Sequence, residues 1–398
     1  MTEHYENLFQ MLSQVEGFIY PNEVSLTWGI LIVLYPYLTG LVAGAFILAS
    51  LERVFKVKVL GPTYQLALVT ALAFLICAPL PLISHLGHPL RAYEIMITPH
   101  AGSAMAIFGF VYLWYLMVVL LLEIWFDYRY DFVIWSEQKT GVMRVVYRIL
   151  TLGVTDTSPK ALAWDKRLGH IITVVGIPSA FLLHGYVGFI FGSIKANPWW
   201  SSVLMPVIFL FSAMVSGIAL IMIIYMVVSY LRKVRIEMPC LDTIAKFLFY
   251  ALIMDFALES LDQVHRIYEA EESFDILSLL VSGKLYITLF GMQIVFGMII
   301  PIVSLGLLQV VKFNETVRKT IYFITGILVL IGIFFMRWNV VIGGQLFSKS
   351  FLGFTSFKLR LAGGEGMLMT FLWIILPFLI LAFFLWLMPP WKKHDYNV

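Results

Sequence analysis

Charge is scarce in this chain of 398 residues: Lys, Arg, Asp and Glu together make up 13%. A soluble domain carries about 25%. Too few charges remain to solvate a globular surface, and the net charge of +3 is too small to attract nucleic acid. Cysteine is nearly absent. Cys77 and Cys240 are the only two, so the chain cannot ligate an iron–sulfur cluster, which takes about four thiolates. The first 25 residues contain Glu3, Glu6, Glu16 and Glu23 and no Lys or Arg. A secretory leader opens on a basic segment, so insertion is expected to use the first true membrane span.

What the chain has instead is apolar length. Hydrophobic residues are 61% and aromatics 16% of the total. About 20 apolar residues cross a bilayer core, and nine segments qualify: 26–50, 63–84, 101–125, 168–193, 203–231, 242–265, 276–308, 319–341 and 366–388. The expected fold class is an all-α membrane protein. A short surface helix is expected over 5–16, and an amphipathic one over 142–150 within the polar 126–167 loop. Loops after spans one, three, five and seven are richer in Lys and Arg than those after two, four and six. The positive-inside rule then puts the N-terminus outside and the C-terminus, with Lys392 and Lys393, inside the cytoplasmic membrane. Lys349, Lys358 and Arg360, after span eight, are exceptions on the outer side. On this topology Cys77 and Cys240 lie at opposite faces.

A short repeat is present. Thr39, Gly40, Ala43 and Gly44 in span one correspond to Ser212, Ala213, Ser216 and Gly217 in span five. Arg91, Tyr93 and Glu94 correspond to Arg266, Tyr268 and Glu269. The repeated spans run in the same direction, which divides the chain into an outer segment 1–25, a four-helix half 26–193, a second half 194–341, an outer loop 342–365 and a last span with its tail, 366–398. Small residues of this kind let helices approach closely, so they are read as bundle-building.

Three groups of residues could carry chemistry. His170 and His184 in span four have the spacing of haem ligands, but no second span carries a matching pair, so no haem is expected. Span six carries Asp255, Glu259, Asp262 and His265 on one face. A charge at the bilayer centre costs about 2.5–3.5 kcal/mol, so these acids face the protein interior. They are either a proton path or partners for Lys284, Arg337 or Arg266. At the expected outer ends of spans one to four sit Asn22, Glu23, Trp28, His85, His88, Arg91, His100, Ser103, His184 and Tyr186. Such groups could hold a quinone head group, or could simply be an ordinary polar interface.

The sequence resembles the NrfD/PsrC family of quinone-interacting membrane subunits. The resemblance is carried by Tyr186, Gly188, Gly192, Pro198 and Trp200, then Pro206, Phe211, Ser212, Ala213, Ser216 and Gly217, by Thr39 to Gly44, by Leu86 to Arg91, and by Arg337 to Gln345. It runs from about Pro21 to Pro390. Gly17 to Glu23 and Lys195 to Pro198 look most like the DsrP branch, associated with sulfite reduction and sulfur metabolism. The resemblance implies a non-autonomous subunit of an anaerobic respiratory complex, without haem or iron–sulfur cluster. It would exchange electrons between menaquinol or quinone and a ferredoxin-like iron–sulfur subunit on the outer face. Further membrane and cytochrome subunits would complete the complex. In the family a Tyr at the position of Tyr186 contacts the quinone head. On that basis the expected quinone-binding set is Tyr186, His184, His100, Asn22, Glu23, Ser103 and Arg91; the expected proton path, read from the span-six spacing alone, is Asp255, Glu259, Asp262 and His265. The family commonly has Asp where this chain has His85. A proton-translocating module or secondary transporter is the alternative reading.

Overall fold

The apolar runs fold as the hydropathy pattern requires, because backbone groups inside a bilayer must find their partners within a helix. The computed structural model describes residues 12–98, 100, 102–269 and 273–391. Most of the surface helix expected over 5–16, together with Lys392 and Lys393, lies outside the described residues.

The principal helices, in chain order, are α1 (Ile30–Arg53), α2 (Gly61–Cys77), α3 (Leu80–His85), α4 (Ala104–Gln138), α5 (Gly141–Leu150), α6 (Pro159–Gly192), α7 (Met205–Leu231), α8 (Met238–Glu269), α9 (Phe274–Ser282), α10 (Ile287–Val310), α11 (Glu315–Val341) and α12 (Met367–Leu387). Among the described residues eight helical spans are long and apolar enough to cross a membrane, with α2 and α3 forming one of them. Only α8, the sixth expected span, is missing from that set. It is long enough, but Asp242, Lys246, Asp255, Glu259 and Asp262 break its apolar run.

Three expected boundaries differ. The third span continues to Gln138 and the fourth begins at Pro159, so both helices project well past the apolar core. The amphipathic α5 lies between them, with Val142, Val145 and Ile149 exposed. The seventh expected span, 276–308, is not continuous. It breaks after Ser282 at Gly283, leaving α9 as a short separate helix. Pro79 and Pro81 similarly bend span two between α2 and α3. Both α4 and α10 contain π-helical stretches, Trp114–Leu120 and Ile287–Ile299.

α1 is the centre of the bundle, with nearly every residue of its span buried, whereas α12 is largely open. The most extensive helix–helix contact joins α1 to α7. It runs through the repeated small residues: a methyl on Gly44 would overlap the Ala213 carbonyl, and one on Gly217 would overlap the backbone of Gly44 and Ala45. α6 packs on both α1 and α7, and α11 also packs on both. Cys77 ends α2, whereas Cys240 begins α8 near Thr63 at the other end of α2; both are free and buried.

The N-terminal segment closes over one end. β1 (Glu16–Gly17) pairs antiparallel with β2 (Gly353–Phe354). Glu23 accepts from Ser348 Oγ and from the Lys349 backbone N–H. Gln345 accepts from the Trp28 backbone N–H and donates to the Trp28 carbonyl, both at 3.0 Å. Trp28 stacks on Trp200. Loops 12–29, 194–204 and 342–366 thus form one cap at the end expected to face outward.

Candidate functional site

The residues expected to bind a quinone do not converge on one cavity; they fall into separate groups. Tyr186, half-buried near the end of α6, donates through its hydroxyl to the Ala104 carbonyl at 2.7 Å. Its ring stacks between Phe108 and Phe189. Ser103 is the residue just before α4, and its backbone N–H is bonded to the carbonyl of the exposed His100. Tyr35, which the sequence pattern does not single out, packs edge-on against the other side of this cluster through Phe108. Its hydroxyl is buried and has no hydrogen-bond partner. Position in an apolar run conceals it, since a tyrosine inside a span reads as ordinary core.

His184 is elsewhere. It is fully buried on the α1/α7/α11 side of α6, where its Nε2 lies 2.9 Å from Arg337 Nη2 and its Nδ1 3.4 Å from Thr39 Oγ1. Arg337 also donates to Ser212 Oγ at 2.6 Å and lies over the Phe209 ring. Thr39, Ser212 and Arg337 therefore seat His184 at the crossing of the central helices, away from any mouth. Asn22 and Glu23 belong to the cap. They line a cavity of about 330 Å³ with Trp28, Asn197, Trp200 and Gln345. Arg91 is exposed and held by Glu94, at 2.7 and 2.8 Å. Those hydrogen bonds hold the Glu94 carboxyl below its usual value. His85, at the end of α3, pairs with Glu365 at 2.5 Å.

The α8 acids occupy three environments. Asp262 accepts from Arg266 at 3.0 Å and from Ser202. Arg266 also donates to the Pro198 carbonyl, tying α8 to the cap. Glu259 accepts from Gln293 Nε2 at 2.7 Å, and Gln293 Oε1 in turn accepts from Asn339 Nδ2 at 2.7 Å. Asp255 is fully buried, and neither carboxylate oxygen has a hydrogen-bond partner. Of the three cations expected as structural partners, Lys284 pairs with Glu16, Arg266 with Asp262, and Arg337 bonds His184 and Ser212. His265 is exposed at the surface of α8. Glu259 and Asp262 also line a cavity of about 440 Å³ bounded by α7, α8, α9, α10, α11 and Trp199 of the cap.

A second polar group sits at the opposite end of the first four spans. Glu123 is fully buried and accepts from Thr173 at 2.7 Å and Tyr64 at 3.1 Å. Arg53 bonds Tyr64 at 2.5 Å and pairs with Asp127, while Arg129 pairs with Asp165. Glu123 lies within an apolar run that ends just before the polar loop, so its pairing is not visible as a pattern. Among the described residues no three His, Cys, Asp or Glu side chains are grouped as metal ligands.

Similarity to known proteins agrees with this architecture. The chain is 31% identical over 325 residues to a selenate reductase subunit of Mesobacillus selenatarsenatis, covering 79% of this chain and 73% of that one. It is 27% identical over 201 residues to a putative dimethyl sulfoxide reductase membrane subunit of Halobacterium salinarum, covering 50% of this chain and 42% of that one. It is 28% identical over 202 residues to protein NrfD of Escherichia coli, covering 50% and 59%. Residues 21–349, which take in part of the cap and the first eight spans, match the family described as polysulphide reductase, NrfD, and the chain belongs to that family.

Proposed function

We propose that this protein is the membrane subunit of a reductase complex, exchanging electrons between membrane quinone and an iron–sulfur partner docked on the cap. The quinone is the two-electron, two-proton carrier; the chain's own residues position its head group. The reading is supported by two relatives named as reductase subunits, one of them a membrane subunit. It rests most on one observation, the buried Tyr35 hydroxyl without an acceptor. A buried donor is rarely left unpaired. A quinone carbonyl beside Phe108 would supply the missing acceptor. Tyr186 would turn its O–H from the Ala104 carbonyl to an oxygen of the same head group, and Ser103 and His100 would border it. His184, locked between Thr39 and Arg337, would act from behind, fixing the central helices. Sulfur metabolism, and a DsrP-type complex with cytochrome subunits, are the setting we favour for it.

Tyr35→Phe and Tyr186→Phe test this. Each removes one hydroxyl and keeps the ring packing. We expect quinol-linked electron transfer and quinone retention to fall in both, by the equivalent of about 0.5–1.5 kcal/mol in affinity. Assembly with the partner should persist, and dyes that reduce an iron–sulfur protein directly should still work. Unchanged quinone retention in both variants would remove the site from this position.

A second reading, proton translocation, is favoured by Asp255. A carboxylate buried at about 25 Å along α8, with no hydrogen-bond partner, is a place where a proton could pause between the Glu259 chain and the Arg337 cluster.

A further inference from the structure

The cavity between α8, α10 and α11 is distinct from the Tyr35–Tyr186 cluster, and its wall has a definite hydrogen-bonding polarity. Its lining is mainly apolar, including Phe256, Leu289, Phe290 and Met298. Ile267 and Phe290 on its rim are exposed on the outer surface of the bundle, so an acyl or isoprenoid tail could leave toward lipid. Most of the polar groups on the wall are committed to one another. Asp262 is taken by Arg266 and Ser202, Ser260 by the Phe256 carbonyl, and the Trp199 ring N–H by the Asn339 carbonyl.

Two fully buried atoms on the wall have no partner, and both are acceptors; the Gln263 amide, also on the wall, is half-buried. As a carboxylate, Glu259 accepts through Oε2 from Gln293; this orients the Gln293 amide, which then accepts from the Asn339 N–H₂. The direction of this relay leaves Glu259 Oε1 and Asn339 Oδ1, both buried, without any partner. An unmade hydrogen bond at a buried acceptor is costly. Only a ligand carrying donors removes that cost at both ends. A dione cannot do so, since its oxygens only accept.

We propose that this cavity is a second ligand site, selective for an amphiphile whose aromatic head bears two hydroxyl donors: the reduced, quinol form of a membrane quinone. A para-diol carries an O–H at each of two opposite ring edges, so a single ring can offer a donor toward each acceptor. The apolar walls take the ring faces, and the rim lets the tail out. Site and selectivity follow from this chain's residues alone, and neither depends on Tyr35 or Tyr186.

The test is site-directed. Val281→Cys and Ile294→Cys, made separately in the full chain in nanodiscs, place a thiol on the cavity wall. Its alkylation by a maleimide is timed, anaerobically, with duroquinol or duroquinone as the probe. Both probes are fully methylated on the ring, which suppresses thiol addition. Protection by duroquinol at a concentration at least about tenfold lower than duroquinone is expected. In a Glu259→Gln background the side chain offers an N–H where it offered an acceptor, so the preference should shrink or reverse. Asn339→Leu, which removes the other acceptor, should weaken duroquinol without helping duroquinone. Equal protection by the two probes, or protection by neither, overturns the proposal. Loss of protection on Tyr35→Phe, with Glu259→Gln silent, would overturn it by placing the ligand in the other cluster.

Discussion

At residue scale two buried ionic groups near one another in the second half, Arg337 and Asp255, differ sharply. Arg337 is fully enclosed, and its guanidinium is spent on His184, Ser212 and the Phe209 ring. Asp255 makes no hydrogen bond. Their amputations should therefore diverge. Arg337→Leu removes the group that holds α6, α7 and α11 together, and a loss of about 3–5 kcal/mol is expected, the usual cost of breaking a buried polar assembly. Asp255→Asn removes no hydrogen bond and nearly conserves volume, so thermal unfolding in detergent should show a much smaller loss than for Arg337→Leu. If the α8 acids carry protons, the same variant slows proton-coupled turnover. A large loss of stability in Asp255→Asn would show instead that this carboxylate is a structural ion.

At the scale of elements, the α1–α7 crossing decides whether the bundle forms. Gly44 and Gly217 face the opposing backbone itself, which has no rotamer with which to yield. Gly44→Ala or Gly217→Ala should destabilise by about 1–3 kcal/mol or more through overpacking. Gly61→Ala and Gly291→Ala, where nothing stands within 4 Å of the added carbon, should be nearly silent. Thermal melts of the four variants would show this; equal shifts would mean the crossing tolerates a wider separation. The small-residue pattern of these helices is readable from sequence, because it depends on spacing along one stretch of chain. So are the spans, from apolar length alone. Helix ends past the apolar core are not: 126–138 and 159–167 are joined by the Arg129–Asp165 pair, and α4 packs on α5, a tertiary effect that hydropathy does not encode. The break at Gly283 is masked by the apolar residues on both sides. Among the candidate site residues, position along a helix is legible and direction around it is not. His184 and Tyr186, two residues apart, face different neighbours, and Tyr35 needs Phe108 beside it to be noticed.

At the scale of the whole molecule, the basic loops and the cap lie at opposite ends. Cysteine accessibility in intact cells should find 139–157 protected from outside reagents and 194–200 reactive, if the cap faces outward as loop charge predicts. The reverse pattern would move the partner's docking surface to the other side of the membrane. Truncation before Glu23 should likewise weaken partner binding while leaving the helices folded, since the N-terminal segment contributes to the cap and to no helix–helix crossing.

The cap also sets an order of events during synthesis. Phe18 and Ser350 are hydrogen-bonded yet 332 residues apart in the chain. At about 5–20 residues per second, roughly 20–70 s separate the emergence of the first from that of the second. For that interval the N-terminal strand has no counterpart, and Trp28 lacks the Gln345 amide that anchors it. Only a chain whose eighth crossing is already in place can close the platform. Closure of the cap thus reports that eight crossings have been made, and a partner that recognises the closed cap would in effect inspect the protein before joining it.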